Sequence, residues 1–167
     1  MKNIINQHKI YWIEKSFALS AIVGILFFGA SLVVNRLANV YALERASSPV
    51  TDIILDNLPV VNTDIIFIDG SILFVVFVAI LLARDPKRIP FVLKSLALFI
   101  IIRSVFITLT HIGPSPESTY INIGEIARVF TTGADLFFSG HTGLPFLFAL
   151  MFWKEPRLRI IFLVSSV

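Results

Sequence analysis

The sequence has no cysteine among its 167 residues, so it contains no disulfide framework and gives no indication of a redox compartment. Charged residues are also scarce, at 15%, whereas 56% of the residues are hydrophobic and 16 are phenylalanine. The mean hydropathy of +0.86 is too high for a soluble core with a wetted surface. The net charge of +3 does not require a nucleic-acid partner, because a basic surface facing anionic lipid explains it equally well. The composition therefore predicts an integral membrane protein.

Spacings typical of metal sites are missing as well. The three histidines, His8, His111 and His141, are scattered, and the sequence contains neither an HExxH motif nor paired cysteines. It also contains no internal repeat and no low-complexity tract. We therefore expect no metal and no other cofactor.

Long apolar runs dominate the sequence. Four of them are long enough to cross a bilayer core, which takes about 20 helical residues. They are residues 17–34, 65–83, 89–110 and 136–153. We predict an all-α, polytopic membrane helix bundle with four complete spans and a truncated fifth. Residues 1–16 are expected to be a cytoplasmic tail and residues 17–167 a single transmembrane domain that is incomplete at its C-terminus.

The first and the last apolar runs each allow more than one interpretation. The lysines before the first run are also typical of a cleaved signal peptide, but the run has 18 residues and more spans follow, so we expect it to be retained. The fifth run begins at Ile160 and stops at Val167. A helix ending inside lipid would leave its carbonyls unpaired, so we expect a truncated reading frame or a fragment.

Basic residues are distributed unevenly between the loops. Nine lie in the N-terminal tail and near residues 84–88 and 154–159, and three lie in residues 35–64 and 111–135. Cytoplasmic loops are enriched in lysine and arginine. We therefore predict a cytoplasmic N-terminus, with residues 35–64 and 111–135 facing outward. Lys94, near the inner end of its run, is expected to extend toward the cytoplasmic headgroups.

Several polar residues inside the apolar runs are expected near one depth. Arg103 comes seven residues before the outer end of its run, roughly 10 Å below the surface. Asp69 is also near an outer end, and Asp135, Ser139 and His141 begin the fourth run. Ionisable residues within membrane spans are rare and usually functional. Their shared depth predicts a site near the outer surface.

The residue types in this cluster suit phosphate chemistry. Arg103 presents a planar fork that matches phosphate oxygens, and the N–H groups near Gly140 and Thr142 would begin a helix, a common anion site. His141 can exchange protons near neutral pH. Structural interpretations remain open: an Asp69–Arg103 ion pair that fixes packing, a core histidine, and small residues for close helix contact.

Three stretches carry recognisable motifs. They are SSPVTDIILDNLP (47–59), RSVFITLTHIGPSP (103–116) and GADLFFSGHTGLPFLFAL (133–150), the last being the most specific. Together they resemble the sphingomyelin synthase-like branch of the type 2 phosphatidic acid phosphatase superfamily, over roughly residues 17–167. The first stretch departs from the family at Val50 and Thr51, where Leu-Pro is usual.

The resemblance implies a six-span enzyme whose third-motif histidine assists the leaving group. In that family the attacking histidine belongs to a fourth motif after the fifth span, which these residues do not include. We therefore expect half of a phosphotransferase site and no turnover from the 167 residues alone. The candidate residues are His141 and Asp135 for catalysis, Arg103, Ser139, Gly140 and Thr142 for phosphate binding, and Asp52, Asp56 and Asp69 in support.

Three functions remain in competition. The first is an outward-facing transferase that moves a phosphocholine or phosphoethanolamine headgroup from a phospholipid to ceramide or a diacylglycerol-type acceptor. The second is a lipid phosphate phosphatase, in which water replaces the acceptor alcohol. The third is a non-catalytic membrane protein that only binds a lipid headgroup. The expected partners in all three cases are membrane lipids, with no role for nucleic acid.

Overall fold

Helices form the regular structure of the chain. The computed structural model describes residues 2–46, 69–110 and 139–167, and within these ranges it contains six α-helices, one short 3-10 helix and no strand. The α-helices are α1 (Lys2–Ile13), α2 (Lys15–Glu44), α3 (Gly70–Arg84), α4 (Ile89–Thr110), α5 (Gly140–Met151) and α6 (Pro156–Val164), and the 3-10 helix is Pro86–Arg88. The all-α fold expected from the sequence is confirmed for the described residues.

Helix boundaries agree with the apolar runs in the middle of the chain and differ near its ends. Helix α4 has the predicted bounds, whereas α2 continues past Val34 to Glu44. The prediction ended this run at Val34, before the polar residues Asn35 and Arg36. The helix continues because Asn35 is buried against α4 and because leucine and alanine, good helix formers, follow it. Helix α6 begins at Pro156, before the apolar run, because proline suits the first turn of a helix.

Two of the described helices are long and apolar enough to cross a membrane. They are α2 and the helical stretch Pro86–Thr110. Helices α3 and α5 are apolar but have only 15 and 12 residues within the described ranges. The predicted second and fourth runs begin at residues 65–68 and 136–138, which lie outside those ranges.

Helices α2 and α4 pack along a stripe of small and polar side chains. The buried residues of α2 recur every three or four positions, which places them on one face. They are Ala21, Gly24, Ser31, Asn35, Ala38, Asn39 and Ala42. A Cβ atom on Gly24 would lie 3.1 Å from Cβ of Leu93 and 3.4 Å from the carbonyl oxygen of Pro90. Glycine is needed here because the two backbones approach so closely.

An aromatic core joins α3, α4, α5 and α6. Phe162 is fully buried at its centre, with ring centroids 5.4 Å from Phe148 and 5.6 Å from Phe152. Phe74 and Phe77 of α3 approach the same ring at 5.8 and 5.7 Å. Aromatic pairs at these separations contribute about 0.5–1.5 kcal/mol each beyond the area that they bury. The cluster therefore holds α5 and α6 against α3.

Polar contacts fix the turns at the end of the bundle where α4 begins. Nε of Arg88 donates a hydrogen bond to Oδ2 of Asp85 at 2.7 Å, and its Nη2 donates to Glu155. The same guanidinium lies 4.7 Å from the ring centroid of Phe152. Arg88 therefore ties the turn before α4 to the turn before α6. At this end His8 of α1 also contacts the carbonyl of Ala83, with its Nε2 2.8 Å from the oxygen.

Candidate functional site

The SGHTG stretch forms the first turn of α5. Ser139 is the N-cap residue, and its Oγ accepts a hydrogen bond from the N–H of Thr142 at 3.4 Å. Its carbonyl oxygen accepts the N–H of Gly143 at 2.9 Å. Serine is favoured at this position because its hydroxyl satisfies a donor that the helix itself leaves unpaired. The positive end of the helix dipole therefore lies at Gly140 and His141.

Arg103 reaches this helix terminus from α4. Its side chain is buried, and its Nη1 donates a hydrogen bond to Oδ1 of Asn35 at 3.0 Å. A Cβ atom on Gly140 would lie 3.9 Å from Nε of Arg103. The guanidinium is thus held between α2 and the first residue of α5. The structure brings together two of the residues that the sequence singled out, Arg103 and Gly140, from separate helices.

Asn35 is a site residue that sequence reasoning missed. It is buried and directly bonds the guanidinium, while its own carbonyl accepts a hydrogen bond from Nδ2 of Asn39 at 2.8 Å. Ser31, one turn earlier, is also buried and donates to the carbonyl of Phe28 at 2.7 Å. The signal in the sequence was the four-residue spacing of three polar residues, which places them on one face of a helix. It was overlooked because Asn35 follows the predicted end of the first span.

The arrangement at Arg103 favours an anion. The guanidinium and the N-terminus of α5 are both electropositive, so an anion close to both is attracted by two elements at once. The hydrogen bond that Arg103 donates to Asn35 restrains the guanidinium, whose planar fork matches the oxygens of phosphate or carboxylate. A buried setting strengthens both attractions because water screens them less. We call Arg103 and the first turn of α5 the Arg103 cradle, and we take it as the candidate site for an oxyanion.

His141 and Asp69 occupy exposed positions. His141 is the second residue of α5, directly after Gly140, and therefore adjoins the cradle. Asp69 immediately precedes α3. Asp69 and Arg103 both belong to the described part of the chain, and no salt bridge joins them. An ion pair between Asp69 and Arg103 therefore does not hold Arg103 in place.

Three of the predicted site residues fall outside the described residues. They are Asp52, Asp56 and Asp135. Their expected catalytic and supporting roles therefore stay predictions. Within residues 2–46, 69–110 and 139–167, no three His, Cys, Asp or Glu side chains are grouped as ligands for a metal ion.

Comparison with known proteins gives no family assignment. No protein-family model, curated protein or solved structure matches the chain. The resemblance of its three motifs to a lipid phosphotransferase family therefore stays a hypothesis. A function can be proposed only from the chemistry of the Arg103 cradle.

Proposed function

We propose that the protein is an integral membrane lipid phosphotransferase. It would bind the phosphate of a phospholipid in the Arg103 cradle and move a phosphocholine- or phosphoethanolamine-type headgroup to a lipid alcohol. The observation that carries the proposal is the position of the Arg103 guanidinium beside Gly140, the first residue of α5. A fixed cation and a helix N-terminus are two separate anion-binding elements, and here they meet at an SGH sequence.

The surroundings of the cradle support a lipid as the ligand. In the apolar 18-residue stretch of α2 only 17% of the residues are buried, and in that of Pro86–Thr110 only 28%. The core helix of a soluble protein would be mostly buried. A groove of about 330 Å³ also lies between α2 and α4, lined mainly by apolar side chains and by Ser104, the neighbour of Arg103. Its remaining lining residues are Val34, Leu37, Ala38, Tyr41, Ile101, Val105 and Thr108. In the proposed orientation this groove leads from the outer ends of α2 and α4 down to the level of Arg103.

The proposed topology has four complete spans, a cytoplasmic N-terminus and the cradle on the outer side. It follows from the nine-to-three distribution of basic residues between the loops. We expect Ser47→Cys and Ser118→Cys to react with an impermeant thiol reagent added to intact cells. Cysteine at the exposed position Lys154 should react only after the cells are permeabilised. The reverse pattern would invert the orientation and place the cradle on the cytoplasmic side.

Binding is the activity that we propose for the 167 residues themselves. In micelles, the chain should bind dihexanoyl phosphatidic acid and dihexanoyl phosphatidylcholine, as measured by titration calorimetry. Dihexanoylglycerol, which has the same acyl chains and no phosphate, is the matched control and should bind at least tenfold more weakly. Equal binding of all three lipids would show that the cradle does not recognise phosphate.

The transfer step is proposed for protein that carries the fourth motif implied by the resemblance. A phospholipid labelled in its headgroup should pass its label to added ceramide or diacylglycerol. Release of the free headgroup phosphate, whether or not acceptor is present, would instead support the phosphatase alternative. Binding without either reaction would support the headgroup-binding alternative, and transfer by the 167 residues alone would show that the nucleophile has been misplaced.

A further inference from the structure

A second groove lies at the end of the α2–α4 pair where α4 begins. Its volume is about 510 Å³, and the residues that line it come from α1, the start of α2 and the stretch 87–94. Lys94 comes nine residues before Arg103 on the same helix, which corresponds to about 14 Å along the axis. The two sites are therefore separate, and neither Arg103 nor His141 lines this groove.

Lys87 and Lys94 supply the positive charge of this groove. Nζ of Lys94 donates to Oγ of Ser20 at 2.8 Å, a neutral partner, and among the described residues it forms no salt bridge. Glu14 also lines the groove, and its Oε1 accepts from Oγ of Ser16 at 2.6 Å, a neutral donor that leaves the carboxylate charged. Two lysines and one glutamate give the lining a formal charge of +1. Lys87 lies 3.9 Å from Asp85, and 59% of its side chain is exposed. An ammonium group has three donors, so Lys94 can bind an anion without leaving Ser20.

The rest of the lining is aromatic and apolar. Tyr11, Phe17 and Phe91 line the groove, and the rings of Tyr11 and Phe17 are 5.3 Å apart. Trp12 packs edge-on against Phe17 at 5.7 Å. Tyrosine and tryptophan, here Tyr11 and Trp12, gather where a membrane meets water because one end of each side chain is apolar and the other is polar. Phe17 and Phe91 are wholly apolar and suit contact with lipid. The groove therefore combines two lysine ammonium groups with aromatic side chains that suit the glycerol end of an acyl chain.

We propose that this groove binds the headgroup of an anionic glycerophospholipid, with the phosphate between Lys87 and Lys94 and the glycerol region against Phe17 and Phe91. The proposal rests on the membrane placement proposed above, and it is independent of the transfer reaction. Lys87, in the 3-10 helix before α4, and Lys94, in α4, both line this groove. In the proposed orientation this end faces the cytoplasm, where the leaflet carries anionic lipid.

Trp12 provides a local probe for this site. In a Trp153→Phe background, Trp12 is the one tryptophan left, since the sequence has two. Its fluorescence should be quenched by phosphatidylglycerol with brominated acyl chains at roughly tenfold lower mole fraction than by the corresponding phosphatidylcholine. A lysine near an anionic headgroup contributes roughly fivefold to such a preference, and Lys87 should contribute less because it is exposed and close to Asp85. Lys94→Gln should therefore reduce the preference roughly fivefold, and Lys87→Gln/Lys94→Gln should nearly abolish it.

Matched variants separate a built site from general attraction or misfolding. Lys9→Gln removes the same charge from an exposed position outside the groove and should keep the preference. Lys94→Arg keeps the charge and should also keep it, which excludes a trivial loss of fold. Equal quenching by both lipids, or equal losses in Lys9→Gln and Lys94→Gln, would overturn the proposal. Relief of quenching by millimolar glycerol 3-phosphate would also overturn it, in favour of a soluble phosphate.

The same variants distinguish this proposal from the proposed function. Lys94→Gln should leave the binding of dihexanoyl phosphatidylcholine, which the groove disfavours, within twofold of its normal value. If phosphate does not bind at Arg103 while the lipid preference reported by Trp12 persists, the headgroup site in the groove is supported and the proposed transferase function is not. If neither persists, the shared premise of membrane placement is wrong.

Discussion

Arg103→Gln is expected to weaken the binding of dihexanoyl phosphatidylcholine about 10- to 100-fold. Arg103 is buried beside the first residue of α5, so an anion bound there would be poorly screened by water. Hydrogen bonds to charged groups contribute about 1.5–3 kcal/mol each, which corresponds to this range of affinity. Glutamine keeps a donor that can bond Asn35 but removes the positive charge. Titration calorimetry in micelles measures the change directly.

Arg103→Lys tests whether shape matters in addition to charge. A lysine ammonium is a point charge, and it cannot keep the bond to Asn35 while also presenting a planar pair of donors to phosphate. We expect it to weaken binding roughly tenfold, between the normal protein and the glutamine variant. Helix content from circular dichroism should remain unchanged in both variants.

Arg36→Gln is the matched control for this series. Arg36 follows Asn35 on α2, is exposed, and carries the same charge as Arg103. Its loss should change binding less than twofold if the cradle acts through contact. Similar losses in Arg36→Gln and Arg103→Gln would indicate long-range attraction by net charge. Normal binding by Arg103→Gln would make the buried arginine a packing residue.

The sequence predicted the parts of this fold that depend on continuous apolar runs. Helix α4 has the predicted bounds because the apolar run 89–110 begins beside Pro90 and ends at a turn-rich stretch. The depth argument likewise placed Arg103 near the SGH stretch, because a residue's position along a span fixes its height in the bilayer. Distances along a single helix can thus be calculated from the sequence without knowing how the helices pack.

Features that depend on packing between helices were beyond the sequence. Phe148 and Phe152 were compatible with either lipid contact or packing, and only the approach of Phe162 from α6 makes them core residues. Lys94 was expected to extend toward headgroups, but its hydrogen bond to Ser20 on α2 was not foreseen. Asn35 was assigned to a loop because it follows the apolar run 17–34. A lone sequence does not show which face of a helix meets a partner.

The chemical step should depend on His141 even more strongly than binding depends on Arg103. His141 follows Gly140 at the N-terminus of α5, so a phosphate held in the cradle would lie close to it. As the P–O bond to the donor lipid breaks, the leaving oxygen needs a proton, and an imidazolium can supply it near neutral pH. Positioned acid–base groups typically contribute 10²–10⁴-fold in rate, or about 3–5 kcal/mol of barrier.

His141→Ala should therefore lower headgroup transfer by about 10²–10⁴-fold in protein that carries the fourth motif, as measured with a headgroup-labelled phospholipid. The loss should be much smaller with 4-nitrophenyl phosphocholine, because nitrophenolate leaves without a proton. His8→Ala is the matched control, since His8 lies at the opposite end of the bundle against Ala83. A loss of equal size with both substrates would give His141 a role in positioning the phosphate. Full activity with the phospholipid would exclude the SGH stretch from the chemistry and leave Arg103 as the centre of a binding site.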